Sequence, residues 1–511
     1  MKKSFKRAGV AVLSMAMLLS MGAIGATSVS AAGESITVAT STGLATTDKV
    51  NVYKVATSSA TGWAWETDYD GVTGITDFKN LNASNAEEVA NKLARVAITK
   101  TPTTNGNVGT AVDLSSFGKG YYLVIAAPKD AGKVAQPMLI EVKDGTAANI
   151  TTAKVSQIDL TKVITEVDTK DDAALTNHVA ADGKSAQAAA GEKVKYRIVA
   201  RIPSYDTNVA ATDIQDFVLT DTSEDTLTSV ASSFNMYIAN TKEATTGDAV
   251  NASALNRNSN GHSFTVTLGG STVKANPAKY LIVEFTAVVG DNPVISKGLG
   301  VREDQKDEAG KSADANKNDV VLTYGNNYST GGGSDTDGDG DVDNDDEQPE
   351  LKDYADVYAT ALYINKTLGT TAVAAGKDEV GFTLYDAAGT TVVREEVKTD
   401  NTGKVSFVGL DAGTYTLKET KTKDGYKKVD DFKVTISSST PYATFTAKTG
   451  ETDWDTVTAG GLEMTINNPD IESLPGTGGM GTVLFTVGGA AVVLLAGAMF
   501  VVYMRKRKVE E

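Results

Sequence analysis

Apolar and polar residues alternate in many short stretches between residues 33 and 470. A period of two predicts β-strands that bury one face. Turn signals such as Asn401-Thr402-Gly403 and Asp424-Gly425 separate these stretches in the last third of the chain, and short strands at this spacing are typical of a β-sandwich. We therefore predict a mostly β protein with tandem sandwich domains. The clearest strands cover residues 49–55, 121–126, 138–142, 193–200 and 320–324.

One stretch has a helical period instead. Ser84-Asn85-Ala86-Glu87 matches a capping box, and Val89, Leu93 and Val96 or Ala97 form an apolar stripe behind it. Residues 33–153, which contain this helix and several strands, are therefore predicted to form an α+β domain. The all-β regions that follow are residues 154–330 and 353–470, separated by an acidic linker at 331–352.

Both ends of the chain carry long apolar runs. Residues 8–26 follow a basic start and precede Val29-Ser30-Ala31 and Ser30-Ala31-Ala32, either of which suits cleavage of a secretory signal peptide at 1–32. Residues 480–504 are long enough to form a transmembrane helix, and the basic residues 505–508 hold that end in the cytoplasm. The body of the protein is therefore predicted to be secreted.

Charge and composition narrow the possible functions. The net charge of −17 over 511 residues argues against nucleic-acid binding. The chain has no cysteine, so disulfides do not stabilise it outside the cell. Its two histidines, His178 and His262, lie in unrelated contexts without a metal-like or triad-like cluster. An enzyme is not expected.

A five-residue peptide, Leu474-Pro475-Gly476-Thr477-Gly478, precedes the C-terminal apolar run. This order of peptide, apolar span and basic tail over residues 474–511 resembles the sorting signal of Gram-positive sortase substrates. The resemblance implies that a sortase cysteine attacks the Thr477 carbonyl, releases the chain from Gly478 onward and transfers the acyl group to an amine. Sortase and cell-wall peptidoglycan are the partners implied.

Four charged residues fall on apolar faces of predicted strands. Lys162, Lys366, Asp221 and Glu419 each extend the apolar alternation of their own strand. A strand end is the ordinary explanation for one such residue, because burial of an unpaired charge is costly. Two domains that each hold an inward lysine and an inward acid favour a shared role instead.

The third domain carries a recognisable motif around one of these acids. Tyr415-x-Leu417-x-Glu419, with Gly425-Tyr426 downstream, resembles the E box of Gram-positive pilins, although Lys423 replaces the usual proline. This region resembles a CnaB-type immunoglobulin-like sandwich. The stretch 190–196 and Leu219-Thr220-Asp221-Thr222 resemble the CnaA-like middle domain of backbone pilins. The chain is thus similar to a sortase-assembled backbone, or major, pilin.

Domains of this kind carry internal Lys–Asn isopeptide bonds, which form without a separate enzyme. In the third domain the resemblance implies a bond between Lys366 and Asn468, assisted by Glu419. The alternation of the last strand selects Asn468 over its neighbour Asn467. An apolar core would lower the pKa of the lysine and raise that of the acid, so that a neutral amine attacks a polarised amide.

The second domain has the same set of residue types. The resemblance implies a bond between Lys162 and Asn318, assisted by Asp221. Asn318 and Asn326 both share the alternation of the strand at 320–324, and Asn318 is preferred because the family has asparagine at the start of this strand.

Backbone pilins also offer a lysine to the sortase acyl-enzyme of the preceding subunit. Lys154 lies at the corresponding place, shortly before Lys162, although the surrounding Thr152-Ala153-Lys154-Val155 lacks the family's tyrosine and proline. We expect Lys154 to be the polymerising lysine, with a solvated linker lysine as the alternative.

The acidic linker contains the spacing of an EF-hand calcium loop. Gly340 stands at the turn position and Val342 at the apolar position, but the last ligand is aspartate rather than glutamate. We expect one Ca²⁺ here, with a solvated acidic linker as the alternative. The ligands would be Asp335, Asp337, Asp339, Asp341, Asp343 and Asp346.

Two functions remain open at this point. One is a structural shaft subunit of a cell-surface pilus (fimbria) that supports adhesion, with other copies of the chain and minor pilins as partners. The other is a monomeric wall-anchored adhesin that binds a host or matrix ligand. Both use the same export and sorting signals, while the modest length and the place of Lys154 favour the shaft.

Overall fold

A computed structural model describes residues 26–30, 33–59, 62–82, 85–97, 99–128, 132–151, 155–168, 179–205, 209–295, 315–325, 350–410, 413–436, 445–448 and 463–471. The described chain is mostly β-strand, as predicted, and its first domain is α+β. It divides into two compact units with the main boundary after Thr360. None of the helices in the described residues is long and apolar enough to cross a membrane.

The first domain combines two sheets and one helix. One sheet has the strand order β1-β10-β2-β6, and in the other β3 pairs with β4, β5 and β7, while β7 pairs with β9. The strands are β1 (Ala26–Ser30), β2 (Ser35–Val38), β3 (Lys49–Ser59), β4 (Gly62–Trp65), β5 (Thr104–Asn107), β6 (Val112–Asp113), β7 (Gly120–Ala127), β8 (Lys133–Ala135), β9 (Met138–Val142) and β10 (Thr146–Ile150), and helix α1 spans Ala86–Ala97.

Strand β3 is buried on both faces because it lies between two cores. Val50 and Val52 pack towards the sheet that contains β2, while Tyr53 and Val55 pack towards α1. The predicted helix is confirmed, and its buried stripe includes Val89, Leu93 and Ala97. Short 3₁₀ turns connect elements along unit 1: Thr40–Thr42, Thr67–Tyr69, Phe78–Asn80, Ala211–Asp213, Ala231–Ser233 and Ala252–Ala254.

Strand β1 lies inside the segment predicted to be a signal peptide. It pairs antiparallel with β10, from Ala26 opposite Ile150 to Ser30 opposite Thr146. Residues 1–25 and 31–32 lie outside the described residues. Removal of residues 1–32 would take β1 away and leave β10 paired with β2 alone.

The second domain is a sandwich of two antiparallel sheets. One has the order β12-β14-β21-β17-β18, with β16 also on β21, and the other has the order β19-β20-β15-β22-β23. Its strands are β11 (Val155–Gln157), β12 (Leu160–Asp168), β13 (Ser185–Gln187), β14 (Lys193–Arg201), β15 (Phe217–Ser223), β16 (Leu227–Ser229), β17 (Asn235–Ala239), β18 (Asp248–Ala249), β19 (Leu255–Arg257), β20 (Ser263–Leu268), β21 (Tyr280–Val289) and β22 (Asn318–Thr323), and helix α2 spans Gly270–Ala275.

Two strands after the acidic linker also belong to this unit. Strand β23 (Glu350–Tyr354) pairs with β22, and β24 (Asp356–Tyr358) pairs in parallel with β13. The predicted boundaries, a linker ending at 352 and a third domain starting at 353, are therefore too early. The pairing with β22 fixes these residues to the second domain, and the boundary follows Thr360.

The third domain forms the second unit and is also a two-sheet sandwich. Strand β25 pairs with β26 and β29 and, in parallel, with the last strand β33, while the other sheet has the order β28-β27-β30-β31-β32. The strands are β25 (Thr360–Leu368), β26 (Val373–Ala374), β27 (Gly381–Tyr385), β28 (Val392–Lys398), β29 (Lys404–Leu410), β30 (Gly413–Lys421), β31 (Phe432–Ile436), β32 (Phe445–Lys448) and β33 (Glu463–Asn468).

Candidate functional site

A lysine lies in the core between the two sheets of the second domain. Lys162 belongs to β12 in one sheet, while Asp221 and Asn318 belong to the neighbouring strands β15 and β22 of the other. Lys162 and Asn318 are 0% exposed and Asp221 is 2% exposed. The alternation that predicted inward side chains therefore describes all three. The burial of Lys162 needs compensation from polar groups inside the core.

Asp221 provides the main compensation for the lysine. Lys162 Nζ lies 2.5 Å from Asp221 Oδ2 and donates to the backbone carbonyl of Asp319 at 3.1 Å. In the ladder between β15 and β22, Asp221 is opposite Val320 and Ser223 is opposite Asn318. The register places the acid and the amide two residues apart along one inward face.

Burial shifts both titratable groups of this pair towards their neutral forms. It lowers the pKa of Lys162, against the opposing pull of Asp221. It raises the pKa of Asp221 to about 6, against the opposing pull of Lys162. Transfer of one proton from the lysine to the aspartate would give a neutral amine beside a carboxylic acid, which is the form that a nucleophilic lysine needs.

The backbone of Asn318, and not its side-chain amide, forms the hydrogen bond that holds this residue in place. The Asn318 N–H donates to Asp356 Oδ1 at 3.3 Å. Among the described residues, neither Oδ1 nor Nδ2 of Asn318 forms a hydrogen bond of good geometry, and the same is true of the Tyr196 hydroxyl, although that hydroxyl lies beside the Asn318 amide. Buried polar groups without partners are rare in native proteins and often mark a reactive site.

The third domain places a second lysine beside its last strand. Lys366 in β25 is 1% exposed, and parallel pairing puts it opposite Ile466 and puts Leu368 opposite Asn468. Lys366 Nζ donates to the carbonyls of Ile466 at 2.9 Å and Thr367 at 3.0 Å. Burial lowers the pKa of Lys366 to about 8, against the pull of Glu419.

The asparagine of this site contacts the acid directly. Asn468 Nδ2 donates to Glu419 Oε1 at 2.6 Å and to Thr422 Oγ1 at 2.7 Å, and Glu419 Oε2 accepts from the Val429 N–H at 2.8 Å. Asn468 Oδ1 has no partner within the described residues. Asn468 is fully buried whereas Asn467 is exposed, as the strand alternation predicted.

Each of the two sandwiches therefore brings together an amine, a carboxyl group and a carboxamide in a core that excludes water. These groups are the reactants of an amide exchange in which a lysine replaces ammonia on an asparagine. In the described part of the first domain every lysine is at least partly exposed, so these residues include no third set of this kind.

Three further residues contact these sites without having been predicted. Asp356 holds the backbone of Asn318, Thr422 contacts the amide of Asn468, and Tyr196 interacts with Asn318. The Tyr196 side chain faces inward with every second residue of β14. Because a buried tyrosine hydroxyl needs a polar partner, a tyrosine on the inward face of a strand is the sequence signal that could have placed Tyr196 near the polar groups of the site.

Several predicted residues lie outside the described residues. They are Lys154, Asn326, the sorting peptide at 474–478, the apolar run at 480–504 and the six aspartates of the linker loop. Within the described residues no group of histidine, aspartate or glutamate side chains is arranged to hold a metal ion.

Comparison with known families accounts for the C-terminal part of the chain. Residues 467–511 match the LPXTG cell wall anchor motif, and residues 375–451 match the SpaA family, a prealbumin-like fold domain. The predicted sorting signal is confirmed, and the chain is a cell-wall-anchored surface protein. A search of curated proteins finds no match to this sequence.

Solved structures extend the likeness to most of the chain. The T6 backbone pilin of Streptococcus pyogenes is 16% identical, with a TM-score of 0.54 over 79% of this chain and 79% of that chain. The major pilin SpaA of Corynebacterium diphtheriae is also 16% identical, with a TM-score of 0.47 over 86% of this chain and 99% of that chain. The likeness to the T6 pilin confirms the fold expected for a backbone pilin.

Proposed function

We propose that this protein is a structural shaft subunit of a covalently polymerised pilus, joined subunit to subunit by a sortase and anchored to peptidoglycan. The observation that carries the proposal is a cell-wall sorting signal at residues 467–511 on a chain with the fold of a backbone pilin. The signal supplies the acyl group for transfer, and β-sandwich domains with internal covalent bonds would suit a load-bearing shaft.

Within each sandwich, the proposed chemistry is an isopeptide bond that the domain forms by itself. Lys162 would join Asn318, and Lys366 would join Asn468, with Asp221 and Glu419 as the respective acids. The burial of each lysine, the acid within hydrogen-bonding distance of the amine or the amide, and the unpartnered amide oxygens support this assignment. The bonds would stabilise a chain that has no cysteine.

The reaction needs no cofactor because the domain supplies both reactants and the acid. The neutral lysine amine attacks the asparagine Cγ, the protonated acid polarises the amide, and ammonia leaves. The apolar core lowers the pKa of the lysine, which favours the neutral amine, and it excludes the water that would compete as a nucleophile. Each bond should lower the intact mass of the chain by one ammonia.

For polymerisation, we propose that Lys154 of one copy attacks the acyl-enzyme formed at Thr477 of another. The test is a Lys154→Ala chain produced together with its sortase, followed by blotting of cell-wall extracts. We expect a ladder of high-molecular-weight species from the parent chain and its loss in the variant. Lys143→Ala, which removes an exposed lysine of the first domain, is the matched control and should keep the ladder.

The same blot separates the shaft from a monomeric anchored protein. Thr477→Ala should abolish both the ladder and the wall attachment, because it removes the acyl donor. A ladder that survives Lys154→Ala would assign polymerisation to another lysine. A parent chain that is attached to the wall only as a monomer would overturn the shaft proposal.

We also propose that the acidic linker binds one Ca²⁺ through the six aspartates from Asp335 to Asp346. Six carboxylates at EF-hand spacing offer the oxygen ligands that calcium prefers. Calorimetric titration of the secreted chain should show one site, and Asp335→Asn with Asp339→Asn should abolish it. The absence of calcium heat from the parent chain would refute the proposal.

A further inference from the structure

The second domain buries a tyrosine hydroxyl beside the amide that is proposed to react. Tyr196 is 1% exposed and lies on β14, the strand that neighbours β12. In that pairing Lys162 is opposite Ile198 and Ile164 is opposite Tyr196, so the tyrosine and the lysine project from adjacent strands into one core. Lys162 Nζ lies 5.4 Å from the centroid of the tyrosine ring.

Packing fixes the ring of this tyrosine. It stacks on Phe285 with the ring centroids 5.1 Å apart and the planes 13° from parallel. The hydroxyl interacts with the Asn318 side chain, yet neither group forms a well-aligned hydrogen bond with any described residue. A hydroxyl, an amide oxygen and an amide nitrogen are thus buried together without satisfied partners, which is costly in an unreactive core.

We propose that the Tyr196 hydroxyl is a catalytic donor for the Lys162–Asn318 bond, and that it holds the negative charge that develops on Asn318 Oδ1. This inference rests on the isopeptide bond proposed above. Preorganised donors aimed at a developing oxyanion contribute strongly to acyl transfer in a dry site. The product would also satisfy the hydroxyl, which can donate to the carbonyl oxygen of the new amide.

The step balances with the groups already present. The lone pair of neutral Lys162 Nζ forms a bond to Asn318 Cγ, and the carbonyl π electrons move to Oδ1, where Tyr196 donates its hydrogen bond. Asp221 gives its proton to Nδ2 and takes one from Nζ. The Cγ–Nδ2 bond then breaks, the carbonyl re-forms and ammonia leaves, so no oxidant or other co-reactant is needed.

Tyrosine and aspartate have separate tasks in this arrangement. Asp221 lies 2.5 Å from the lysine nitrogen, and it accepts a proton from that nitrogen and donates one to the leaving nitrogen of Asn318. Burial raises the pKa of Tyr196 above its ordinary value, so the hydroxyl keeps its proton and remains a donor. In the third domain the described contacts of the Asn468 side chain are instead Glu419 and Thr422. A change at Tyr196 should therefore affect one bond and spare the other.

The test is Tyr196→Phe in the full chain, which removes the hydroxyl and keeps the stacked ring. The chain is made by cell-free synthesis, translation is stopped, and the two cross-linked peptides are quantified by mass spectrometry over time. We expect the Lys162–Asn318 bond to form about 100-fold more slowly, the effect of losing one oxyanion donor. The Lys366–Asn468 bond in the same molecules should form at its normal rate. An unchanged rate for Lys162–Asn318 would overturn the assignment.

Tyr205→Phe is the matched control because it also removes a buried hydroxyl from this domain. Tyr205 donates to the carbonyl of Gly325 at 2.7 Å, away from the reacting amide. The Tyr205→Phe substitution should lower the melting temperature without slowing the formation of the Lys162–Asn318 bond. Equal slowing in both variants would show that a weakened fold is responsible and would refute a catalytic hydroxyl.

A second measurement covers the case in which Tyr196→Phe does not fold. Site-specific 3-fluorotyrosine at position 196 keeps the ring and the hydroxyl but makes the hydroxyl a stronger donor. The Lys162–Asn318 bond should then form faster, and an unchanged rate would contradict the proposal. If neither cross-linked peptide forms in the parent chain, the isopeptide proposal itself fails, which is a distinct result.

Discussion

Each buried lysine lies where its ammonium form loses most of its hydration, and the two domains compensate for this loss differently. Lys162 contacts the Asp221 carboxyl directly, whereas the described hydrogen bonds of the Lys366 amine go to the carbonyls of Ile466 and Thr367. In the third domain the acid instead contacts the amide of Asn468. The same three groups are thus connected by two different sets of hydrogen bonds.

Asn468 and Asn467 offer a matched pair of substitutions. Asn468→Ala should restore one ammonia to the intact mass and destabilise the third domain by about 4 kcal/mol, because the bond would close a loop of roughly 100 residues. Asn467→Ala should change neither the ammonia loss nor the stability of the third domain, since Asn467 is exposed. Its described side-chain hydrogen bond is the one that Oδ1 accepts from the Thr367 hydroxyl at 3.2 Å. Intact mass and thermal unfolding are the measurements. A full parent mass deficit in Asn468→Ala would contradict the assignment.

The pH dependence of bond formation tests the proton arrangement in the third domain. The reactive state needs a neutral Lys366 and a protonated Glu419, so the pair must hold one proton between them. Since the pKa of Lys366 is lowered to about 8, that proton is lost as the pH rises through this value. The rate of bond formation should therefore fall about tenfold per pH unit above this point.

Cell-free synthesis followed by a chase between about pH 6 and pH 10 would measure this profile. The cross-linked peptide containing Lys366 and Asn468 is the readout, and an inert reporter protein made in the same lysate controls for synthesis. A rate that instead rises through pH 8 would show that bond formation follows the neutral form of Lys366 alone and would contradict the shared proton.

At the scale of elements, alternation predicted the strands and the inward side chains because one face of each strand meets a core. It located β9 at residues 138–142 and placed Lys162, Lys366 and Asn468 inward. Alternation carries no information about which strands pair. The attachment of β23 to β22 depends on hydrogen bonds across a long insertion, and so the domain boundary was misplaced.

Strand β23 supplies a carboxylate contact to the second domain. Asp353 Oδ2 accepts from the backbone N–H of Lys162 at 2.6 Å and from Lys184 Nζ at 2.5 Å. A fragment of residues 33–330 would lose this contact, and the edge of β22 would be unpaired. We expect it to melt at a lower temperature than a fragment of residues 33–360, with a difference of several degrees.

Asp353→Ala in the longer fragment isolates the contribution of the carboxylate from that of the strand. It should lower the melting temperature by less than the truncation does, because the β22–β23 ladder remains. Equal melting temperatures for the two parent fragments would place β23 and β24 outside the folding unit of the second domain.

At the scale of the whole molecule, the proposed bonds define a covalent path for force. Load would enter at Lys154, pass from Lys162 to Asn318 and from Lys366 to Asn468, and leave at Thr477. The bonds join the early and late strands of each sandwich, β12 with β22 and β25 with β33. The residues between the bonded pairs would then carry no load, so a shaft built in this way would not lengthen by unfolding its sandwiches.

Single-molecule pulling between handles at Lys154 and Thr477 would test this path. In the parent chain neither sandwich should unfold under load. Asn468→Ala should release roughly 100 residues in one event and lengthen the chain by about 300–360 Å, since an extended residue spans up to about 3.6 Å. Asn318→Ala should release roughly 150 residues, and Asn467→Ala should behave as the parent chain. Unfolding of either sandwich in the parent chain would show that its covalent bond does not carry the load.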